Sequence, residues 1–197
     1  MRRIVPRTAS IGRLFVASTR GVAAIEFAMI VPVLLIIFLA AFDGGRAIAV
    51  YMKVRAATYA LAAITNQYST VQSSDMTSIV GATSVVLAPY SSNPAVVTIS
   101  QLSMTNTGKA TVSWSYSLNG SPRAQGAIVT VPSKLTPGNN ATCSSYPCYL
   151  ILAEVSYMYT PMFGFFTAGT IALSDNLYAT PRNSACVFYP PQNVTSC

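Results

Sequence analysis

The chain contains no histidine, only five acidic residues and a single tryptophan among its 197 residues. The lack of histidine removes Ser-His-Asp and Cys-His machinery and most zinc hydrolases. The acids beyond residue 43, namely Asp75, Glu154 and Asp175, fall in separate segments, which leaves little scope for a catalytic carboxylate pair. A P-loop and a Gly-rich dinucleotide turn are also missing, and Asp75-Met76-Thr77-Ser78-Ile79 lacks the Asp-x-Ser-x-Ser pattern of a metal-dependent adhesion site. The expectation is a protein that is not an enzyme and needs no cofactor. Charge is scarce: 9% of residues are charged and 52% hydrophobic, against about 25% charged in an average soluble domain. That composition excludes disorder and suits a membrane anchor or a subunit that buries surface in an assembly. The length fits one modest domain plus an accessory segment.

The formal net charge of +7 belongs to a tail. Arg2, Arg3, Arg7, Arg13 and Arg20 precede Gly21 with no acid among them, and from Val22 onward seven basic residues face five acids. A nucleic-acid-binding face needs Lys and Arg clustered on folded structure, so no nucleic-acid partner is expected.

Residues 22–42 form a 21-residue apolar run broken only by Glu26 and Pro32, and roughly 20 apolar residues cross a bilayer as a helix. The arginine-rich side should stay cytoplasmic and the remainder be exported. One rival is a cleaved secretory signal, since Ala47-Ile48-Ala49 matches a small-x-small site. Such signals have a shorter apolar core, about 7–15 residues, and this site lies well beyond the run. A second rival is a signal anchor that is never processed. A carboxylate within a membrane segment is costly and points to function. If the chain is cut after Gly21, Val22 becomes a free ammonium and Glu26 the fifth residue, available to a neighbouring subunit's ammonium. The plainer reading makes Glu26 a snorkelling carboxylate. Pro32 lacks an N–H and crowds the Ala28 carbonyl, which predicts a bend or loosening there.

Arg20-Gly21-Val22-Ala23-Ala24-Ile25-Glu26-Phe27-Ala28, then Pro32 and an aliphatic run, resembles the N-terminus of TadE-like pseudopilins of the tight-adherence (Tad) type IV pilus systems. Phe42-Asp43-Gly44-Gly45-Arg46 looks like the family's acid-x-Gly-Arg exit, with Asp in place of Glu. Val155-Ser156-Tyr157-Met158-Tyr159-Thr160-Pro161, Leu173-Ser174 and Pro181-Arg182 are loosely similar to how these heads end. The resemblance implies cleavage between Gly21 and Val22 by a prepilin peptidase at the membrane face. A glycine before the scissile bond permits an extended backbone in a protease cleft. It implies further that Glu26, Phe27 and Pro32 serve subunit assembly. The expected partners are the lipid bilayer, the prepilin peptidase, other pilin or pseudopilin subunits and Tad assembly proteins. The expected location is the bacterial inner membrane, single-pass, with the head in the periplasm or in a pilus.

The fold class expected is α+β, a long N-terminal helix with a small antiparallel β-rich, disulfide-bonded head. Its segments are a basic leader (1–21), a transmembrane helix (22–42), an amphipathic extension (43–68) and an exported head (69–197). The extension is read from Ala47, Val50, Tyr51, Val54, Ala57, Thr58, Leu61 and Ile64, which recur at helical steps and should pack on the head. Asp75 is expected to cap a second helix with Met76, Ile79, Val80, Thr83, Val86 and Leu87 inward, ended by Pro89. Strands follow from Ala95. Ala110, Val112, Trp114, Tyr116 and Leu118 alternate with polar residues as one face of a half-buried strand, and Asn119-Gly120 is a turn pair. Residues 127–131 and 149–159 read as further strands. Met162-Phe163-Gly164-Phe165-Phe166 is too short to span a membrane; core is favoured, with an exposed tip touching lipid or a partner as the alternative.

Cys143, Cys148, Cys186 and Cys197 all fall in the predicted exported part, where an even count reads as two disulfides. Of the three pairings, Cys143–Cys148 with Cys186–Cys197 is favoured because both loops hold turn-prone Pro or Ser. The unequal spacings and the lack of histidine argue against zinc.

Overall fold

A computed structural model of the chain describes residues 20–136, 146–164 and 169–192. A continuous helix, α1 (Arg20–Thr65), is followed by a shorter helix, α2 (Ser73–Leu87), and then by a sheet. The strands are β1 (Ala95–Met104), β2 (Ala110–Leu118), β3 (Ile128–Val129), β4 (Cys148–Tyr159) and β5 (Ile171–Ala179). They form one sheet in the order β3-β2-β1-β4-β5, with every pairing antiparallel.

α1 has two halves with different surroundings. From Val22 to Ala41 it is apolar except at Glu26, and no residue is buried by the rest of the chain; it stays helical through Pro32. Beyond it, Val50, Val54, Ala57, Thr58 and Leu61 are buried, the stripe that helical spacing selects. Tyr51, at the stripe's edge, remains exposed. Thr58 and Thr65, buried in this half, donate their hydroxyls to the carbonyls of Val54 and Leu61 one turn back, so neither leaves an unpaired donor. In α2, Met76, Ile79, Val80, Thr83 and Leu87 are buried. Asp75 caps this helix from inside its first turn: its carboxylate accepts the Gln72 N–H at 2.9 Å, the return half of a capping box.

The sheet has a core on each face. The helix-side core joins α1 and α2 to Ala95, Val97, Ile99, Trp114, Ile151, Ala153, Val155, Tyr157 and Tyr159. The outer core gathers Leu102, Met104, Ala110, Val112, Val131, Leu150 and Leu152. This corrects the expectation that Ala110, Val112 and Trp114 share a face. Gln101 pairs with Trp114, but the next residue, Leu102, pairs with Val112. Ser113 is therefore an extra residue, and such a bulge breaks the two-residue alternation. The Trp114 side chain turns to the helices and Val112 to the outer core.

Three other expectations are corrected. β3 is only two residues long instead of spanning 127–131; Pro132 follows and cannot donate to a ladder. Asn119-Gly120 ends β2 without making a tight hairpin. Asn119 takes a positive φ of 58° and donates its amide to the Ala95 carbonyl at 2.9 Å. A Cβ on Gly120 would lie 2.6 Å from Val96 Cγ1, so a side chain there would force Val96 to shift. β5 was not expected as a strand, and it pairs with β4 along Ile151–Tyr159.

Candidate functional site

The residues singled out at the N-terminus lie together on the uncovered half of α1. Gly21, Val22, Glu26 and Phe27 are all exposed, and Glu26 makes no ion pair among the described residues. Val22 and Glu26 are four apart, hence neighbours on one helix face. The Gly21–Val22 bond lies within α1. Glycine itself offers little resistance to an extended backbone there.

At the far end of the apolar half stands a contact that the sequence reading missed. The Asp43 carboxylate accepts three successive backbone N–H groups from the β4–β5 connection: Met162 at 3.1 Å, Phe163 at 3.0 Å and Gly164 at 3.2 Å. Gly164 has φ of 61°, the left-handed conformation that lets consecutive N–H groups converge on an anion. The Tyr159 hydroxyl donates to the Asp43 carbonyl at 3.4 Å. Burial raises the pKa of that phenol above its ordinary value; Arg46 works against the rise and Asp43 adds to it. The Phe42 and Phe163 rings meet edge to face at 6.0 Å. Arg46 lies 5.8 Å over the Phe42 ring and donates to Met162 Sδ at 3.4 Å. The acid-x-Gly-Arg stretch was the available signal: both its charged residues point into this latch.

Phe163 was favoured as core. It is 43% exposed and Met162 67%, because the tip reaches past the edge of the helix-side core; Phe165 and Phe166 lie outside the described residues.

The other end of α1 is clamped by the C-terminal segment. The Arg182 N–H reaches the Asn66 carbonyl at 2.9 Å, and the Asn183 amide donates to the Gln67 carbonyl at 2.6 Å, pairing groups that a helix end leaves free. Val71 and Phe188 are bridged through the backbone. Trp114 Nε1 donates to the Val187 carbonyl at 2.8 Å, and the Val187 N–H donates to Gln101 Oε1 at 2.6 Å. Gln192 exchanges two hydrogen bonds with the Ser115 backbone. A strand's polar edge and a loop are thus closed by side-chain amides.

On the outer face, Arg123 and Glu154 form a paired contact at 2.7 Å. That hydrogen bond is the main reason the Arg123 pKa is raised. Cys148 and Cys186 are not free. Cys143 and Cys197 lie outside the described residues, and so does the pairing expected with them. No cluster able to hold a metal occurs among the described residues.

No curated protein and no solved structure matches the chain. Residues 21–63, which cover the uncovered half of α1, the Asp43 exit and most of the head-packed half, match the model of the TadE-like protein family and form its domain here.

Proposed function

We propose that the chain is a pilin-like subunit acting in assembly or initiation of a Tad-type pilus, anchored in the inner membrane through residues 22–42 and processed after Gly21. The observation that carries this reading is the coincidence of the TadE-like match with a helix whose apolar half has no cover from its own chain. Such a surface needs lipid or other subunits around it. Leader (1–21), span (22–42), extension (43–68) and exported head (69–197) are the functional divisions. The five leader arginines hold the N-terminus in the cytoplasm.

In the assembled state Glu26 pairs with the Val22 ammonium of an adjacent subunit. Pairing charges at low dielectric favours the matched axial offset, since any other leaves a buried charge unpaired. Phe27 and Pro32 shape the helix surface beside it. Prepilin peptidase, other pilin-like subunits and Tad assembly proteins are the partners. Disulfides Cys143–Cys148 and Cys186–Cys197 staple the head after export. Cleavage after Ala49 by a secretory signal peptidase fits poorly, because it would cut α1 mid-helix and discard Asp43 with its three hydrogen bonds.

The second reading is an unprocessed anchor in the same system. It is favoured by the continuity of α1 through Arg20, Gly21 and Val22. Mass spectrometry of the mature N-terminus decides: Val22 as first residue supports processing, and an intact Met1 leader in cells with active prepilin peptidase supports the anchor.

A further inference from the structure

The β4–β5 tip has its height fixed by α1. Asp43 directly follows residues 22–42 and holds the backbone of Met162, Phe163 and Gly164. Phe42 is 45% exposed and touches the Phe163 ring. Met162, Phe163 and Phe42 therefore make one apolar patch that continues into the exposed surface of the apolar helix at Phe38, with the Arg46 guanidinium beside it. Aromatic and apolar side chains level with the end of a membrane span, next to a cation, match the boundary between acyl chains and phosphate headgroups.

We infer that Met162 and Phe163 insert into the headgroup–acyl boundary of the bilayer that α1 crosses, with Arg46 facing lipid phosphate. Lipid is the occupant because the patch is continuous with a helix surface that lipid already surrounds. The tip forms a second, shallow membrane contact. Together with α1 it fixes two points of the head, and so sets the tilt of the sheet against the membrane. The inference rests on the reading of residues 22–42 as a membrane span, and the test separates the two.

The test uses the full chain reconstituted in vesicles of phosphatidylcholine and phosphatidylglycerol, with bromines placed either near the headgroup or deep in the acyl chains. The native Trp114 is buried in the head and supplies an unquenched background. Phe163→Trp and Met162→Trp should each give added fluorescence that is quenched by shallow bromines more than by deep ones. Phe38→Trp should be quenched by deep bromines. Adding Asp43→Ala to Phe163→Trp should cause loss of that quenching. If Phe38→Trp is quenched and neither tip variant is, the span stands and the tip proposal falls. If Phe38→Trp itself escapes quenching, the span reading falls and the inference with it. Tip emission that depends on protein concentration while ignoring bromine would assign the patch to a second copy of the chain, and overturn the lipid assignment.

Discussion

The carboxylate of Asp43, in the long helix, accepts the backbone N–H of Phe163, 120 residues further along the chain, at 3.0 Å. With the N–H groups of Met162 and Gly164, it ties the turn between the last two strands to the point where the helix leaves its apolar half. The head is thereby fastened to the helix at this end, as the C-terminal segment fastens it at the other.

Replacing Asp43 by alanine should release the turn without unfolding the sheet. Charge-assisted hydrogen bonds contribute about 1.5–3 kcal/mol each when well formed, and less where water competes. A total loss on the order of 2 kcal/mol is expected. Hydrogen exchange should speed up at residues 162–164 and stay unchanged in β1. Unaltered protection at those three amides would show that the latch is not formed in solution.

Gly21→Leu should leave the leader attached, because a bulky side chain obstructs the extended backbone the peptidase needs. Immunoblotting should show only the longer form, while Glu26→Gln and wild type mature normally. Full maturation of the leucine variant would move the cleavage site elsewhere.

Glu26→Gln should act on assembly alone. Glu26 is exposed and unpaired by any described residue, so folding and membrane insertion should be unaffected. Co-purification with other pilin-like subunits should weaken and fibres diminish. Normal fibre yield would make Glu26 a tolerated snorkelling carboxylate.

Trp114→Phe keeps most of the ring volume yet loses the 2.8 Å hydrogen bond to Val187, leaving a buried carbonyl without that donor. The cost should be about 1–3 kcal/mol, read as a lower thermal midpoint. Limited proteolysis should then cut within residues 182–192 sooner than in wild type. Identical midpoints would place the C-terminal clamp outside the stability of the head.

Non-reducing peptide mapping of protein from the cell envelope should recover no free thiol and the pairs Cys143–Cys148 and Cys186–Cys197. Losing a native disulfide from a small exported domain typically costs about 2–5 kcal/mol, so reductant should lower head stability and leave leader cleavage intact. Four free thiols would refute the oxidised head.

Much of this protein is written in local pattern. The 21-residue apolar run fixes the first half of α1, because backbone hydrogen bonds closed within the helix suit that composition on every face. Val50, Val54, Ala57 and Leu61 fall on one side at helical spacing, and the same residues are buried. Met76 to Leu87 repeats the logic in α2, and the Gly–Glu–Phe element marks the segment that matches the TadE-like family. In each case the period of the side chains states which face is covered.

The sheet's finer design was decided elsewhere. The alternation in β2 is strict in sequence, but the bulge at Ser113 splits Trp114 from Val112 and sends them to different cores. β5 is hidden in the sequence because Asp175 stands on the phase that Ile171, Leu173 and Leu177 share. Its ladder to β4 and its place beside α1 make it a strand: Ile171, Leu173 and Leu177 pack on the helix-side core. Asp43 reads as an ordinary acid at a membrane exit until the turn between β4 and β5 arrives with three N–H groups. Periodicity reports which way a side chain points along its own element. A bulge, an edge pairing or a carboxylate's distant partners depend on which elements meet, and only the tertiary structure brings those together.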